Sequence, residues 1–468
     1  MSTPPLLPPP GCPAHGLGQD GPLRLYGPAA EHDPMALYEQ LRAKHGAVAP
    51  VLVHDDQPAW LVLGHRENLE VARNPGRFSR DPREWGAAKD GTVVPEKYAL
   101  SPMVTWWPVI NFNDGPVFDR LRGAVLESLQ RFDRRGIRRY VTRFAHQLID
   151  DFASNGQADL VAEFSSQLPM LVMTQLIGAP EEHGPGLVRA VPDMLEGTET
   201  ALESDEYVTK TLYQLVASKK ASRGYDLTSW LLDHPAELTD VEVLAHVRVV
   251  LVAAYATTAN LIANTLRMVL TDPRFRANLS GGRMTLAEAL EQVLWDQTPI
   301  NTVLGRWATA DTKLGGQEIK RGDMLLLSLA AGNVDPQVRP DLSAPVHGNR
   351  SHLAFSAGPH ECPGQDIGRA IADTGIEALL ARLPDIELTV HDFELERRGT
   401  LMSQHLVQLP VRFEPRAVAA TAPRPEPDRR PEPTPLPPLA PPAEAVPAAT
   451  VRPRPSRWSW LRRLLGRR

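Results

Sequence analysis

The amino-acid sequence predicts a mainly α-helical fold with small β-sheets, an α+β arrangement. The longest apolar stretch, Leu238–Leu270, has the length and the polar start of a long buried helix. Two alternating segments, Val48–Val53 and Ala59–Leu63, flank a short polar turn and predict a β-hairpin. A third signal is a loop rich in Gly and Pro that contains Cys362 and leads into another helical pattern.

Composition indicates a large protein of a reducing compartment. The chain has 468 residues, of which 42% are hydrophobic and 23% are charged, so it can bury a sizeable core. Because its two cysteines, Cys12 and Cys362, lie 350 positions apart, we expect no disulfide framework and a cytoplasmic location. Asn260 and Asn264 interrupt the most apolar region, Val249–Leu266, which we interpret as a buried core helix rather than a membrane span.

The order of elements predicts one folded domain between an N-terminal and a C-terminal segment that differ from it in composition. Residues 1–32 are rich in Pro and Gly and lack the basic start and apolar run of a signal peptide, so we expect a flexible leader. The folded domain is predicted to cover residues 33–415 and to begin with an amphipathic helix at Met35–Leu41. Asp114-Gly115-Pro116 predicts the start of another helix, and residues 132–245 predict a run of helices with short loops.

Cys362 carries the strongest chemical signal. Gly358 and Gly364 suit a tight loop whose backbone approaches a flat, bulky group where a Cβ would collide. Pro363 is compatible with the first turn of a helix that continues to Leu383. A sulfur at a helix N-terminus is expected to favour the thiolate, the form that binds metal. Since a lone cysteine is more often a small buried hydrophobe, its context decides between the two interpretations.

The spacing of Phe355, Gly358, Cys362 and Gly364 resembles the haem loop of the cytochrome P-450 family. The resemblance covers about residues 33–414 and implies the P-450 fold, in which haem b lies between a long distal helix and the helix after the cysteine loop. It implies that Cys362 is the axial ligand of the haem iron and that the other three residues contact the cofactor.

The resemblance also assigns cofactor contacts outside the loop. It implies that Arg122, Arg306 and His360 hold the haem propionates, because three cations would then converge on a dianionic group. For Arg122 the alternative is an ordinary solvated arginine on a polar helix face. Phe118 stands where the family often has a histidine, so one expected propionate contact is absent.

Residues 253–258, AAYATT, are similar to the centre of the family's distal helix. Ala254 would allow the porphyrin to approach closely, and the resemblance makes Thr257 and Thr258 catalytic. Ala256 replaces the family's acid, a type of group worth about 10²–10⁴-fold in rate. Either water and Thr257 deliver protons, or oxygen activation is impaired. A threonine in mid-helix is more often structural and bonds the carbonyl one turn back.

The family's E-x-x-R pattern is altered in this chain. Residues 291–295 are EQVLW, so Gln292 and Trp295 take the glutamate and arginine positions, and the third member of the charged cluster falls near His347. Loss of one member would cost about 3–5 kcal/mol, whereas joint replacement is nearly neutral. The variant resembles an actinobacterial branch of the family that is often encoded beside small-GTPase and sensor-kinase modules.

The C-terminal segment differs in composition from the rest of the chain. Residues 416–468 contain 11 arginines against 4 acidic residues, a net charge of +7, which leaves −13 for residues 1–415. We expect a disordered Pro-rich linker over 416–456 and a basic amphipathic segment over 457–468. Such a segment binds an anionic membrane surface or an acidic protein partner, with the folded body as one candidate, or it only adds solubility. Nucleic acid is not expected as a partner.

Two functions of different classes are compatible with these patterns. The first is a haem-thiolate monooxygenase that inserts one oxygen atom from O₂ into an organic substrate, with electrons from a ferredoxin and its reductase. The second is a catalytically weak haem-binding adaptor in a membrane-linked GTPase module. Ala256 and the altered E-x-x-R pattern favour the adaptor, whereas Thr257 and Cys362 favour the enzyme. In the family, Met194, Leu195 and Leu202 would line the substrate pocket, unless they are ordinary core.

Overall fold

The computed structural model describes residues 21–196, 199–273, 275–276, 281–282, 284–346 and 348–417. Within these ranges most residues are helical, and the strands form one larger sheet and several small ones, so the α+β prediction is confirmed. The expectations for the first twenty residues, for His347 and for nearly all of 416–468 concern residues outside this description.

The helices follow the order that the sequence predicts. They are α1 Pro28–His32, α2 Pro34–His45, α3 His65–Arg73, α4 Gly86–Lys89, α5 Ser101–Val104, α6 Gly115–Gln130, α7 Arg134–Phe152, α8 Gln167–Ile177, α9 Gly184–Glu196, α10 Ala201–Ala221, α11 Leu227–Leu232, α12 Asp240–Thr271, α13 Leu286–Asp296, α14 Leu329–Asn333 and α15 Gln365–Arg382. Capping explains several of the boundaries. Thr239 and Glu242 form a capping box at the start of α12, and Asp33 accepts a hydrogen bond from the backbone of Ala36 at the start of α2.

The strands lie mainly in one mixed sheet. They are β1 Leu23–Arg24, β2 Val48–Val53, β3 Gln57–Val62, β4 Phe78–Ser79, β5 Gln157–Asp159, β6 Thr302–Ala308, β7 Thr312–Leu314, β8 Gln317–Ile319, β9 Met324–Ser328, β10 Glu387–Leu388, β11 Arg397–Gly399, β12 Gln404–Leu406 and β13 Pro410–Arg412. The larger sheet has the order β1-β2-β3-β9-β6-β4, and β2 and β3 form the predicted antiparallel hairpin. The other sheets are β10-β13-β5, β11-β12 and β7-β8.

The described structure contains a strand and a helix before the predicted domain boundary at residue 33. Strand β1 pairs in parallel with Val51 and Leu52 of the hairpin, and α1 follows it. The Tyr26 hydroxyl donates a hydrogen bond to Asp56, which also binds Arg24. The leader prediction was therefore wrong for residues 23–32, because a two-residue strand and one helical turn leave little periodicity in the sequence.

Helix α12 crosses the interior and contacts α8, α10, α13 and α15. Among the described residues it is the one helix that is long and apolar enough to span a membrane, although half of that apolar stretch is buried within the protein. Its buried residues include Arg248, which forms an ion pair with Asp205 of α10 at 2.5 Å. We therefore interpret α12 as the central core helix of the domain.

Candidate active site

The loop around Cys362 is closed by backbone hydrogen bonds within residues 353–362. The Cys362 N–H donates to the carbonyl of Phe355 at 2.9 Å, and the N–H of Ser356 donates to Leu353 at 2.6 Å. Helix α15 begins at Gln365, with Gly364 as its N-cap, so the predicted helix starts two residues later than Pro363. The sulfur is thus held just before the first turn of a helix that lies in the core.

The two loop glycines have different physical roles. Gly358 has a φ of +70°, and a Cβ on it would lie 2.5 Å from the carbonyl oxygen of Ala72 at the end of α3. Among protein atoms, its close neighbour is therefore the end of a helix. A Cβ on Gly364 would have no protein atom within 4 Å, which leaves open space beside Cys362.

The polypeptide alone does not favour the thiolate at Cys362. Burial raises the pKa of the Cys362 thiol, while the hydrogen bond from the Gly364 N–H and the charge of Arg122 act in the opposite direction. In the protein by itself, burial outweighs these two contributions. A bound metal cation is the kind of charge that would deprotonate such a thiol.

Arg122 lies beside the cysteine loop. Its Nη2 donates to the carbonyl of Glu361 at 2.6 Å, and its charge acts on Cys362 and Glu361. Burial lowers its pKa, so it is not the solvated arginine of the alternative interpretation. The prediction that Arg122 converges with His360 and Arg306 on a dianionic cofactor stays a prediction, and the protein contact of Arg122 is with the cysteine loop.

His360 and Arg306 do converge, around Asp114 at the start of α6. The His360 Nε2 lies 2.8 Å from Asp114 Oδ1, and its ring packs on Phe118 with centroids 4.1 Å apart. Burial lowers the pKa of His360 to about 4, and Asp114 opposes this only in part. Ser79 and the backbone of Arg80 also donate to Asp114.

Arg80 is a further cation at this point that the sequence analysis missed. Its guanidinium donates to the carbonyls of Asn111, Leu304 and Gly305. Strand β6 has a bulge between Leu304 and Arg306, with Gly305 at a φ of +101°, and such bulges redirect the next side chain. The bulge thereby brings Arg306 close to Arg80.

Around Asp114 the buried positive charges outnumber the negative ones, which fits an anionic ligand. Burial lowers the pKa of Arg80 to about 10 and that of Arg306 to about 9, and the negative charge of Asp114 opposes this change in both residues. The Arg306 side chain is 2% exposed, and its Nε is buried without a hydrogen-bond partner in the described structure. Two buried guanidinium groups and one unpaired N–H fit a group with two carboxylates, such as haem with its propionates.

The centre of α12 presents small residues opposite the cysteine helix. Ala254, Ala256 and Thr257 are partly exposed, whereas Thr258 is buried, with its hydroxyl 3.7 Å from the position of a Cβ on Gly368 of α15. The Thr257 hydroxyl donates to the carbonyl of Ala253 at 2.8 Å, the local bond expected of a structural threonine. Thr257 therefore lies on a partly exposed side of α12, whereas Thr258 packs against α15.

The side chains in the altered E-x-x-R region are either neutral or paired with a group of opposite charge. Trp295 is buried, and its indole N–H donates to the carbonyl of Asn349 at 2.7 Å. The guanidinium of Arg339 lies 5.5 Å from the Trp295 ring and binds Asp296 at 2.6 Å. Gln292 donates to Asp296 and accepts from the Val346 N–H. This arrangement leaves no isolated charge among the described members, as expected for joint replacement.

Glu291 is a second residue that the sequence analysis missed. It is 2% exposed and accepts hydrogen bonds from His352 at 2.9 Å and from Arg369 at 2.7 Å. These partners lie before and after Cys362 in the chain, and the guanidinium of Arg369 lies 4.4 Å from the Phe355 ring. Burial acts to raise the pKa of Glu291, but the hydrogen bonds from His352 and Arg369 outweigh it and hold the pKa below its ordinary value. Glu291 therefore joins both sides of the cysteine loop to α13.

Within the described residues, no group of three or more His, Cys, Asp and Glu side chains could hold a metal ion.

Comparison with known proteins identifies the family. The chain is 30% identical over 399 residues to the cytochrome P450 monooxygenase PikC of Streptomyces venezuelae, with 81% of this chain and 91% of that protein covered. It is 28% identical over 391 residues to 2-hydroxy-5-methyl-1-naphthoate 7-hydroxylase of Streptomyces carzinostaticus, covering 80% of this chain and 94% of the relative. No family model matches the sequence.

Solved structures agree with these relatives. The structure of CYP154A1 from Streptomyces coelicolor superposes with a TM-score of 0.73 at 27% identity, covering 84% of this chain and all of the other. Myxobacterial CYP267B1, solved in complex with myristic acid, gives a TM-score of 0.72 at 27% identity, with 83% and 98% covered. The chain belongs to the cytochrome P450 family of haem monooxygenases.

Proposed function

We propose that the chain binds haem b through the Cys362 thiolate and inserts one oxygen atom from O₂ into an organic substrate. The observation that carries this proposal is the position of Cys362, held by the Phe355 carbonyl at the start of α15, with open space beside Gly364. When bound, the haem supplies the iron at which O₂ is reduced and cleaved.

The propionates would be held by groups on three separate elements. Arg80 and Arg306 supply buried positive charge, and the unpaired Nε of Arg306 supplies a free donor. His360 contributes its ring beside Asp114, which fixes the orientation of the imidazole. We assign Arg122 a different role, in which its positive charge beside Cys362 stabilises the thiolate. Phe355, Gly358 and Gly364 shape the loop, and Ala254 leaves room on the distal side.

Thr257 is our candidate for delivering protons on the distal side. Its partly exposed hydroxyl now donates to Ala253, and one rotation about χ1 would release it toward the open side of α12. Because Ala256 supplies no acid, water bound by Thr257 would have to carry the proton. Thr258 is buried against α15, and we propose that its hydroxyl positions the two helices.

We propose a mainly apolar organic substrate. Residues 249–266 of α12 contain no Asp, Glu, Lys, Arg or His, so the distal helix offers small and apolar surface to a ligand. The relatives are named for a naphthoate hydroxylase and for PikC, and one structural neighbour holds myristic acid.

Electrons would come from a ferredoxin and its reductase. The start of α7 has four exposed arginines, Arg134, Arg135, Arg138 and Arg139, and no acidic residue lies in its first turn. Positive charge at a helix N-terminus is unfavourable for the helix, so a binding role explains it better than stability does. Helix α7 packs along α15, which begins just after Cys362, so an acidic electron donor there would lie near the haem.

A charge-reversal experiment tests this docking face. We expect Arg134→Glu with Arg135→Glu and Arg139→Glu to lower turnover with ferredoxin by about tenfold and to leave reduction by dithionite unchanged. The matched control reverses three exposed cations elsewhere, Lys97, Arg321 and Arg398. Equal losses in both variants would contradict the proposed face.

Product formation separates the enzyme from the adaptor. We expect apolar ligands to shift the haem spectrum on binding and at least one of them to give an oxygenated product with ferredoxin, reductase and O₂. Full haem loading without product from any ligand that shifts the spectrum would contradict the proposal and favour the adaptor.

A further inference from the structure

A strongly acidic surface lies on the pair of helices α9 and α10. Residues 190–209 contain no Lys or Arg, and their acidic residues are Asp193, Glu196, Glu199, Glu203, Asp205 and Glu206. We call the part of this stretch that faces solvent the α9–α10 face. Glu199, Glu203 and Glu206 are exposed, and none of the three forms an ion pair with another described residue. Three exposed carboxylates without a direct ion pair make this face a negative surface that can attract a positively charged segment.

Apolar groups are exposed on the same face. Leu195 is 43% exposed and Leu202 is 54% exposed, so these two residues are not ordinary core. Met194, in contrast, lies inward, with its sulfur accepting from Arg248. A hollow of about 450 Å³ lies on the same helix pair, lined by Gly186, Arg189, Ala190, Asp193, Thr200, Glu203, Ser204 and Tyr207. Exposed leucines together with a hollow lined by a tyrosine and carboxylates are typical of a surface that binds another segment.

The C-terminal segment has the complementary composition. Residues 457–468, RWSWLRRLLGRR, contain five arginines and no acidic residue, together with two tryptophans and three leucines. The positive charge of the segment is thus complementary to the negative charge of the α9–α10 face, and both carry apolar side chains. Arginine and tryptophan are also the residues that contribute most to binding at protein interfaces.

The linker is long enough for contact within one molecule. The last ordered contacts of the described chain are those of Arg416, which binds Asp385 and the carbonyl of Ala153. Residues 418–456 number 39, and an extended Pro-rich chain spans about 3.1 Å per residue, or about 120 Å. A folded domain of this size has a radius of gyration of about 21 Å, so the linker reaches every part of its surface.

We propose that residues 457–468 bind the α9–α10 face of the same chain. Helices α9 and α10 pack against each other, and α10 is tied to α12 by the buried ion pair of Arg248 and Asp205. A segment bound to this face would hold the helix pair against α12. This contact does not depend on the proposed function.

Proteolysis of the full chain tests the contact. Chymotrypsin cleaves after Trp458 and Trp460 only when the segment is free, and intact-mass measurements follow the cut. We expect Glu199→Lys with Glu203→Lys and Glu206→Lys to raise the cleavage rate at least about tenfold at low salt. The control variant, with Glu237→Lys, Glu396→Lys and Glu414→Lys, has the same net charge, uses exposed acids elsewhere and should match the wild type.

A charge swap makes the test independent of folding defects. Reversal of Arg457, Arg462 and Arg463 to Glu should free the segment, and combination with the three Lys substitutions on the α9–α10 face should restore protection. Equal cleavage rates in the wild type and in the Glu199, Glu203 and Glu206 variant would overturn the proposal. It would also be overturned if protection arose only on adding phosphatidylglycerol vesicles, because the segment would then bind a membrane.

Discussion

The cysteine loop is joined to the protein by ionised groups, whereas the central stretch of the distal helix opposite it has no charged side chain. On the proximal side, Glu291 binds His352 and Arg369, and Arg122 binds the loop carbonyl of Glu361. On the distal side, residues 249–266 contain no Asp, Glu, Lys, Arg or His.

This difference suggests which of the two sides, the cysteine loop or the distal helix, tolerates amino-acid substitution. A buried ion pair fixes geometry but is costly to break, so the proximal loop should be rigid and sensitive to single substitutions. Small residues on an apolar helix can be exchanged with little effect on folding, so the distal helix can vary in chemistry while the iron ligand stays in place. The missing acid at Ala256 lies on the tolerant side.

The largest effect is expected at Cys362, the proposed iron ligand. Cys362→Ser should abolish turnover and remove the red-shifted Soret band of the reduced carbon monoxide complex, because the alcohol is a poor replacement for thiolate. Absorption spectra and product analysis measure both effects. Cys12→Ser is the matched control, since Cys12 is the other cysteine of the chain, and it should behave as the wild type. A thiolate-type spectrum in the Cys362 variant would contradict the assignment.

The next largest effect is expected at Glu291. Replacement by Leu would strand the charge of Arg369 and should lower the free energy of unfolding by about 3–5 kcal/mol. Chemical denaturation followed by far-UV circular dichroism measures this. The neighbouring substitution Gln292→Leu removes only partly exposed hydrogen bonds and should cost about 1 kcal/mol. Equal losses at the two positions would mean that the proximal loop is not held by charge.

The contribution of Glu291 to stability should also depend on pH. Because the pKa of Glu291 lies below its ordinary value of 4.5, its contribution to stability is complete above that pH and is lost as the pH falls through the lowered value. We therefore expect the stability difference between the wild type and the Leu variant to shrink only below about pH 4.5. A difference that is independent of pH would contradict this account.

A smaller effect is expected on the distal side. Ala256→Glu should raise the yield of product per O₂ consumed by about tenfold, because a positioned acid assists proton delivery. Ala256→Gln has the same shape without the acid and should leave the yield unchanged. Parallel assays of oxygen consumption, peroxide and product distinguish the two. If both variants have the wild-type yield, the absence of an acid does not limit the reaction.

The smallest effect is expected at Ser356 in the cysteine loop. Its φ of +60° is unfavourable for any residue with a Cβ, so Ser356→Gly should stabilise the protein by about 1 kcal/mol. Its neighbour Ala357 has an ordinary φ of −154°, and Ala357→Gly should destabilise slightly through the entropy of the unfolded chain. Thermal unfolding of the two variants should therefore shift in opposite directions.

Elements with local signals could be predicted from the sequence. Helix α12 has its capping box, the β2–β3 hairpin has alternating residues, and the loop before α15 has its Gly and Pro spacing. These signals act within a few residues, so no tertiary information is needed to detect them. The same reasoning failed for β1, whose pairing with β2 is not visible in a two-residue segment.

The missed residues depend on partners that are distant in the chain. Arg80 binds the carbonyls of Leu304 and Gly305, more than 200 positions away, and Glu291 binds Arg369 at a separation of 78. The solvent-facing position of Leu202 on α10 was equally hidden, because periodicity identifies an apolar face without indicating what covers it. The signal available for Glu291 was its place beside the altered E-x-x-R pattern, and Arg80 had none.

The most direct test is the absorption spectrum of the purified wild-type protein, first oxidised and then reduced under carbon monoxide. If Cys362 ligates haem iron as a thiolate, the reduced complex will have the strongly red-shifted Soret band of this ligation. A colourless protein after growth with ample iron and haem precursor, or a reduced complex with the band of a neutral ligand, would contradict the account.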